Sequence, residues 1–179
     1  MRKSAILGVF AILALPLPAT TLQQLTLPSL TAQCTSIVRG NLQPSYTDLR
    51  GSVIFTHYNL QVTDIWKGAT TQQLDVAVPG GTLNGMHQVY SGAPTFVPGQ
   101  DYILFLWTSR SGLTQVMGLS QGLFSVNSAS GVPTVARAAT NQNLLTASGQ
   151  SISDTNFSMS LASFRATINQ MLSGQGAAN

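Results

Sequence analysis

Alternating polar and apolar side chains mark the clearest strand of this chain. Across residues 57–63, Tyr58, Leu60 and Val62 are separated by polar residues. A period of two predicts a strand with one buried face and one wet face. The same alternation places His57 on the wet face, where we expect an ordinary surface histidine.

A second segment, residues 102–107, is apolar at every position and predicts a central strand that is covered on both faces. Shorter strands separated by Gly-containing and Pro-containing turns surround it, and residues 44–51 read as a polar loop. The predicted short strands are residues 36–43, 74–78, 114–117, 123–126 and 132–136. Many short strands with such turns predict a mainly β protein, a small closed β-barrel of the OB-like kind.

The pattern changes to a helical period near the C-terminus. Apolar side chains form one stripe there, which consists of Leu161, Phe164, Ile168, Met171 and Leu172. We expect a C-terminal amphipathic α-helix over residues 158–174, capped by Ser158 or Ser160 and packed on the barrel. The alternative is that the stripe is a partner-binding arm held away from the barrel.

The first residues predict a cleavable secretory signal peptide. Arg2 and Lys3 precede an apolar run over residues 5–15, and Ala19 offers a small residue at the cleavage site. The predicted organisation follows from these patterns. It comprises a signal peptide (1–19), a lead-in segment (20–35), a β-barrel domain (36–137), a linker (138–157) and the helix (158–174).

Removal of the signal peptide lowers the net charge of the chain. Loss of Arg2 and Lys3 lowers the formal net charge from +3 to +1, spread along the chain, so the basic footprint of nucleic-acid binding is missing. No later segment predicts a membrane anchor. The single cysteine, Cys34, cannot form an internal disulfide, and we expect it to be a small buried hydrophobe. Signal peptidase is the expected processing partner, and the mature protein is expected to be secreted or periplasmic.

Patterns that resemble catalytic motifs lack their required partners. Gly118-Leu119-Ser120-Gln121-Gly122 has the spacing of a hydrolase nucleophile elbow, but no histidine follows it and the flanks read as strands. His57 and His87 are the remaining candidates, as ligands of a metal-dependent hydrolase site. We predict no catalytic residue, no metal ligand and no cofactor.

Residues 80–100 read as a long loop rich in Gly and Pro, with a short strand near residues 86–90. Long loops of this kind commonly carry recognition. The candidate binding residues are therefore Trp66, Tyr90, Gly80 and Gly81. Trp107 and Phe96 are expected in the core.

Several of these segments occur together in a group of exported bacterial proteins of unassigned function, which this chain resembles. The segments are residues 37–40 (Ile-Val-x-Gly), 58–68 (ending Lys-Gly), 79–81 (Pro-Gly-Gly), 92–106 (ending Leu-Phe-Leu) and 118–124. Their order also resembles netrin and metalloproteinase-inhibitor-like domains, which implies an OB-type barrel. Those inhibitors chelate zinc through an N-terminal Cys, whereas Cys34 lies inside the mature chain, so the inhibitory chemistry is not implied.

The expected function is therefore a secreted or periplasmic, non-enzymatic domain that binds a protein, peptide or glycan. Two other classes stay open at this point. One is a secreted hydrolase, metal-dependent through His57 and His87, and the other is a structural subunit of an extracellular assembly whose sheet edges pair between copies.

Overall fold

A computed structural model of the chain describes residues 21–68, 71–129 and 131–176; the predicted signal peptide therefore lies outside the described residues. The strands are β1 (Thr21–Gln23), β2 (Ser36–Arg50), β3 (Val53–Lys67), β4 (Gln73–Pro79), β5 (Gly81–Leu83), β6 (Met86–Gln88), β7 (Asp101–Thr108), β8 (Thr114–Val116), β9 (Leu123–Asn127), β10 (Thr134–Arg137), β11 (Asn143–Leu145), β12 (Ser151–Ile152) and β13 (Phe157–Ser160). The helices are α1 (Leu27–Gln33), a 3-10 turn over Leu119–Gly122, and α2 (Leu161–Gly176).

The protein is mainly β, as the sequence predicts, with 50% strand and 17% helix, and it ends in a helix. One large sheet has the strand order β13-β10-β9-β7-β2-β3-β4, and β8 adds to β7. Irregularities in the β2–β3 pairing, such as the one between Pro44 and Tyr46, increase the local twist. The twisted sheet curls until β4 lies beside β8.

The prediction of a closed barrel is not confirmed, because the sheet is not closed. No strand ladder joins β4 to β8 among the described residues. β8 is only three residues long, and β4 ends at Pro79, which has no backbone N–H to donate.

Strand β7 is buried on both faces, which confirms the prediction from its uniformly apolar sequence. Successive side chains point to opposite faces of a strand, so the sheet separates two cores. The inner core, enclosed by the curl, comprises Val38, Leu42, Leu60, Val76, Tyr102, Leu104, Leu106 and Val116. The helix-side core comprises Leu30, Cys34, Ile37, Ile103, Phe105, Phe124, Val126, Val135, Phe164 and Ile168.

Helix α2 packs on the helix-side core, so the docking prediction is confirmed. Phe164 and Ile168 are fully buried. Ser160 accepts a hydrogen bond from the N–H of Ser163 at 3.1 Å and caps the first turn. The predicted start at residue 158 is wrong, because β13 extends to Ser160 by pairing with β10.

Helix α1 forms within the predicted lead-in segment, and a lysine from β3 closes its C-terminal end. The Lys67 ammonium donates to the carbonyl oxygens of Thr31 at 2.6 Å and Cys34 at 2.7 Å. The last carbonyls of a helix have no partner within it, and a cation there also complements the helix dipole. The Lys-Gly sequence that ends β3 therefore fixes α1 against the sheet.

The predicted linker over residues 138–157 is wrong as a description of that segment. It contains β11 and β12, and β11 pairs in parallel with the N-terminal β1. Leu144 on β11 is fully buried. β11 thus pairs both with its neighbour β12 and with the distant β1, and this pairing orders a segment whose own sequence reads as irregular.

Candidate functional site

Three of the four predicted binding residues, Gly80, Gly81 and Tyr90, line one open pocket of about 240 Å³, which we name the Tyr90 pocket. Its lining consists of Thr56, Tyr58, Val78, Pro79, Gly80, Gly81, Gln88, Val89, Tyr90, Ala93, Pro94 and Thr95. The pocket lies where β4 ends and the chain turns into the β5–β6 hairpin. Part of the predicted loop over residues 80–100 is therefore regular structure.

The paired glycines form one wall of the pocket by approaching β3 closely. The N–H of Gly80 donates to the carbonyl of Ile54 at 2.7 Å, and the Thr56 hydroxyl donates to the carbonyl of Gly80 at 2.8 Å. Gly81 has φ +137°, and a Cβ there would lie 2.3 Å from the Thr56 oxygen. Only glycine fits this position, because it alone has no Cβ.

Gln88 holds the opposite side of the hairpin against the start of β3. Its side-chain oxygen accepts from the N–H of Ile54 at 2.7 Å, and its side-chain nitrogen donates to the carbonyl of Ser52 at 2.8 Å. The Gln88 amide thus satisfies a backbone N–H and a backbone C=O at the start of β3, as the backbone of a neighbouring strand would. Val89 and Tyr90, the residues that follow it, therefore continue from a position fixed against β3.

Two large apolar side chains that line the pocket, Val89 and Tyr90, are exposed, and Met86 and Val97 are exposed on the same segment. The exposed fractions are 78% for Val89 and 40% for Tyr90, with 53% for Met86 and 63% for Val97. Single exposed apolar residues are ordinary, but several on one short segment beside a concave surface are typical of an interaction site.

Tyr58, which lines the pocket, belongs to a cluster of packed aromatic rings. Tyr58 contacts Phe96 edge-to-face, with ring centroids 4.9 Å apart, and burial raises the pKa of Tyr58. Phe96 contacts Tyr102 in turn, and the Tyr102 hydroxyl oxygen accepts from the N–H of Val97 at 2.8 Å. Phe96 packs against the inner core, as the sequence predicts, and fixes the far end of the segment.

Trp66, the fourth predicted binding residue, lies apart from the pocket and contributes to the docking of α2. Its indole N–H donates to Asp64 at 2.9 Å, and its ring lies 6.0 Å from that of Phe164. The Arg165 guanidinium lies 5.4 Å from the Trp66 ring centroid and bonds Asp64 at 2.6 Å. Contacts within the protein therefore engage both the ring and the N–H of Trp66.

His57 is fully buried, and its predicted position on a wet face is wrong. Its Nδ1 lies 2.7 Å from Asp75 and its Nε2 lies 3.1 Å from Asp48. The Tyr46 ring stacks on the imidazole with centroids 4.2 Å apart. The predicted loop over residues 44–51 is in fact the end of β2, and Tyr46 and Asp48 on it cover the histidine.

The carboxylates at His57 belong to a charged cluster with Arg50. Burial acts to raise the pKa of Asp48, but hydrogen bonds from Arg50 and His57 outweigh it and hold that pKa below its ordinary value. Burial and the neighbouring Asp75 raise the pKa of Tyr46. The two carboxylates bind opposite ring nitrogens, so they do not converge on a common point beside the ring.

The two histidines do not form a shared site. His87 lies on β6, where its Nδ1 is 3.0 Å from the Thr82 hydroxyl. Among the described residues, no group of three His, Cys, Asp or Glu side chains could hold a metal ion.

Ser120 lies in the 3-10 turn between β8 and β9, and its N–H donates to the carbonyl of Gly92 at 3.1 Å. This is a strand–turn–strand setting, as the sequence predicts, whereas a nucleophile elbow needs a strand that leads into a helix.

Trp107 is a surface residue that the sequence interpretation placed wrongly in the core. It is 44% exposed, although the five residues before it on β7 are buried. The sequence does not reveal this exposure, because Trp107 ends an apolar run. Its exposure depends on helix α1, which ends before it covers Trp107, and the strand's own sequence carries no information about that helix.

Comparison with models of protein families, with curated proteins and with solved structures finds no match to this chain. No helix in the described part of the chain is long and apolar enough to cross a membrane. Function is therefore inferred from the chain's own residues.

Proposed function

We propose that this chain is an exported, non-enzymatic binding domain that recognises a protein or peptide through the Tyr90 pocket. The observation that carries the proposal is the exposure of Val89 and Tyr90, two large apolar side chains that line a concave pocket held to β3 by hydrogen bonds. Aromatic and aliphatic anchors of this kind dominate the binding free energy of protein interfaces.

The construction of the pocket supports recognition of a polypeptide. Gly80 and Gln88 bond the segment to β3, so little backbone freedom is lost when a ligand binds. Thr95 supplies a polar side chain at the lining, and the Thr56 hydroxyl oxygen can still accept a hydrogen bond, so both can orient a peptide backbone. As scaffold we propose an OB-like barrel, supported by the way in which the sheet curls until β4 lies beside β8.

Export is part of the proposal and is supported by the sequence of residues 1–19. The basic pair Arg2-Lys3, the apolar run and Ala19 fit a cleaved signal peptide. N-terminal sequencing of material recovered outside the cytoplasm is expected to begin at Thr20. An exported chain that still begins at Met1 would contradict cleavage after Ala19.

The binding proposal is tested by selection of peptides from a random phage-displayed library on the exported protein, followed by calorimetry. Tyr90→Ala is expected to weaken the selected peptides at least about tenfold, the loss typical of an interface anchor. Ile65→Thr is the matched control, because Ile65 is similarly exposed, at 44%, near the far end of β3. Equal loss in both variants, or no loss in Tyr90→Ala, would contradict the proposed site.

A further inference from the structure

An open groove of about 390 Å³ lies beside Trp107, at the end of β7 that helix α1 leaves uncovered. We name it the Trp107 groove; it is lined by Leu25, Gln33, Trp107, Gln115, Val116, Met117, Gly118 and Leu119. On this face of β7, Ile103 and Phe105 lie in the helix-side core. Helix α1 ends at Gln33, so Trp107, the next side chain on that face, is 44% exposed.

Uncommitted hydrogen-bonding groups flank the exposed indole. Gln115 is the cross-strand partner of Trp107 in the β7–β8 ladder, and Gln33 lines the groove from the end of α1. Neither amide, nor the indole N–H of Trp107, makes a side-chain hydrogen bond with a residue that the structure describes. The groove therefore presents two amides, each a donor and an acceptor, and one further donor around an aromatic face.

The rest of the groove is built rigidly. Gln121, which is only 3% exposed, accepts from the N–H of Leu25 at 2.7 Å and donates to the carbonyl of Gln23 at 3.0 Å. These bonds hold Leu25 over the turn that follows β8. In that turn Leu119 has φ +58°, a left-handed conformation that is unfavourable for leucine. Residues strained in this way persist where surrounding contacts fix them, and they concentrate at ligand sites.

The chemistry of the groove selects among ligand classes. None of its eight lining residues is charged, so a charged ligand would lose its hydration without gaining a counter-charge. A wholly apolar ligand would bury the amides of Gln33 and Gln115 without partners, which opposes binding. The ligand that fits is uncharged, with an apolar face to cover the ring and polar groups at its edge.

We infer that the Trp107 groove binds a neutral saccharide. A pyranose ring has a face of C–H bonds that carry partial positive charge, and this face lies well against the negative face of an indole. Its hydroxyl groups each donate and accept, as do the amides of Gln33 and Gln115. This site is separate from the Tyr90 pocket, since the two linings share no residue, and the inference does not rest on the proposed peptide binding.

The test follows the two indole N–H signals of the full chain by nitrogen–proton NMR during titration with neutral tetrasaccharides. The probes are glucose and N-acetylglucosamine oligomers in α-1,4 and β-1,4 linkage. The chain has two tryptophans, so Trp66→Phe assigns the signals. At least one probe is expected to shift the Trp107 signal saturably and to leave the Trp66 signal in place.

Variants then locate the binding, and their Kd values are followed through the backbone amide signals of the groove, because substitution of Trp107 removes its indole signal. Trp107→Ala is expected to raise the Kd at least about tenfold, Trp107→Phe less, and Gln115→Ala measurably. Gln43→Ala, at an exposed glutamine of β2 outside the groove, and Tyr90→Ala are expected to leave the Kd unchanged. Unshifted backbone amide signals of β10 and β13, which lie away from the substituted residues, in the free variants show that the fold is kept.

Four results would overturn the inference. One is that no probe shifts the Trp107 signal at concentrations up to about 10 mM, which would mean that every probe binds more weakly than a millimolar Kd. Another is that binding persists in Trp107→Ala, and the third is that a sulphated oligosaccharide binds more tightly than every neutral probe. A Kd that depends on Tyr90 instead would also count against it, by placing the saccharide in the other pocket.

Discussion

At the scale of single residues, burial on both faces of β7 means that shortening one of its leucines should lower stability markedly. Leu104 and Leu106 are fully buried in the inner core, between the curled strands. This protein must obtain its stability from such contacts, because its single cysteine, Cys34, is unpaired and no disulfide supports the fold. Burial also raises the pKa of the Cys34 thiol, which keeps it in the unreactive neutral form.

Leu104→Ala is expected to lower the free energy of unfolding by about 2–5 kcal/mol, through lost burial and the cavity that remains. Leu49→Ala is the matched control, because Leu49 is 49% exposed, and its effect is expected within about 0.5 kcal/mol. Urea unfolding measures both. Similar values for the two variants would contradict the burial of Leu104.

The charged cluster at His57 predicts a loss of stability in acid. Because the folded pKa of Asp48 lies below its ordinary value of 3.8, its ionised form contributes stability that is present above that value. This contribution is lost as the pH falls through the lowered pKa. The Tm of the wild type is therefore expected to fall more steeply than that of Asp48→Asn between about pH 5 and pH 2. Parallel curves would show that the cluster contributes no such stability.

At the scale of elements, the strands with a strong local pattern were predictable and the segments ordered by distant contacts were not. The alternation around Tyr58 and the apolar run of β7 identify their strands, because each periodicity reflects burial of a face. β11 and the second half of β2 carry no such signal. β11 forms because β1 pairs with it from more than a hundred residues away, and the polar end of β2 forms because it continues the ladder with β3.

In the candidate site, too, features with a local sequence signal were predictable and features set by distant contacts were not. The Gly80-Gly81 pair and exposed Tyr90 could be found, since a turn signal and a loop-borne aromatic are local features. The burial of His57 could not, because Tyr46 and Asp75, which cover it, come from β2 and β4. Trp107 was missed for a similar reason: its exposure depends on where α1 ends, and α1 lies more than seventy residues earlier in the chain.

Helix α2 is the element whose removal is expected to be most damaging. Phe164 contacts the rings of Phe105, Phe124 and Phe157, so deletion of residues 161–179 uncovers an aromatic cluster. The truncated chain is expected to lose at least about 5 °C in Tm or to fail to fold. Phe164→Ala is expected to reproduce much of this loss, and Gln170→Ala, on the exposed side of the helix, is the control. An unchanged Tm after truncation would restore the alternative of a free partner arm.

At the scale of the whole molecule, one curled sheet carries two cores and two separate candidate surfaces. The Tyr90 pocket lies where β4 passes into the β5–β6 hairpin, and the Trp107 groove lies between α1 and β8. Each is held by a buried or clamped glutamine amide, Gln88 in the first and Gln121 in the second. A rigid scaffold with preformed concave surfaces suits binding, because little entropy is lost when the ligand arrives.

Chemical-shift mapping of the exported protein with a selected peptide tests the proposed binding function most directly. The predicted result is that the largest backbone shifts occur at Gly80, Gly81, Tyr90 and Ala93, which line the Tyr90 pocket, while the indole signal of Trp66 is unmoved. Shifts concentrated at the His57 cluster or along α2, with the pocket unaffected, would contradict recognition through the Tyr90 pocket.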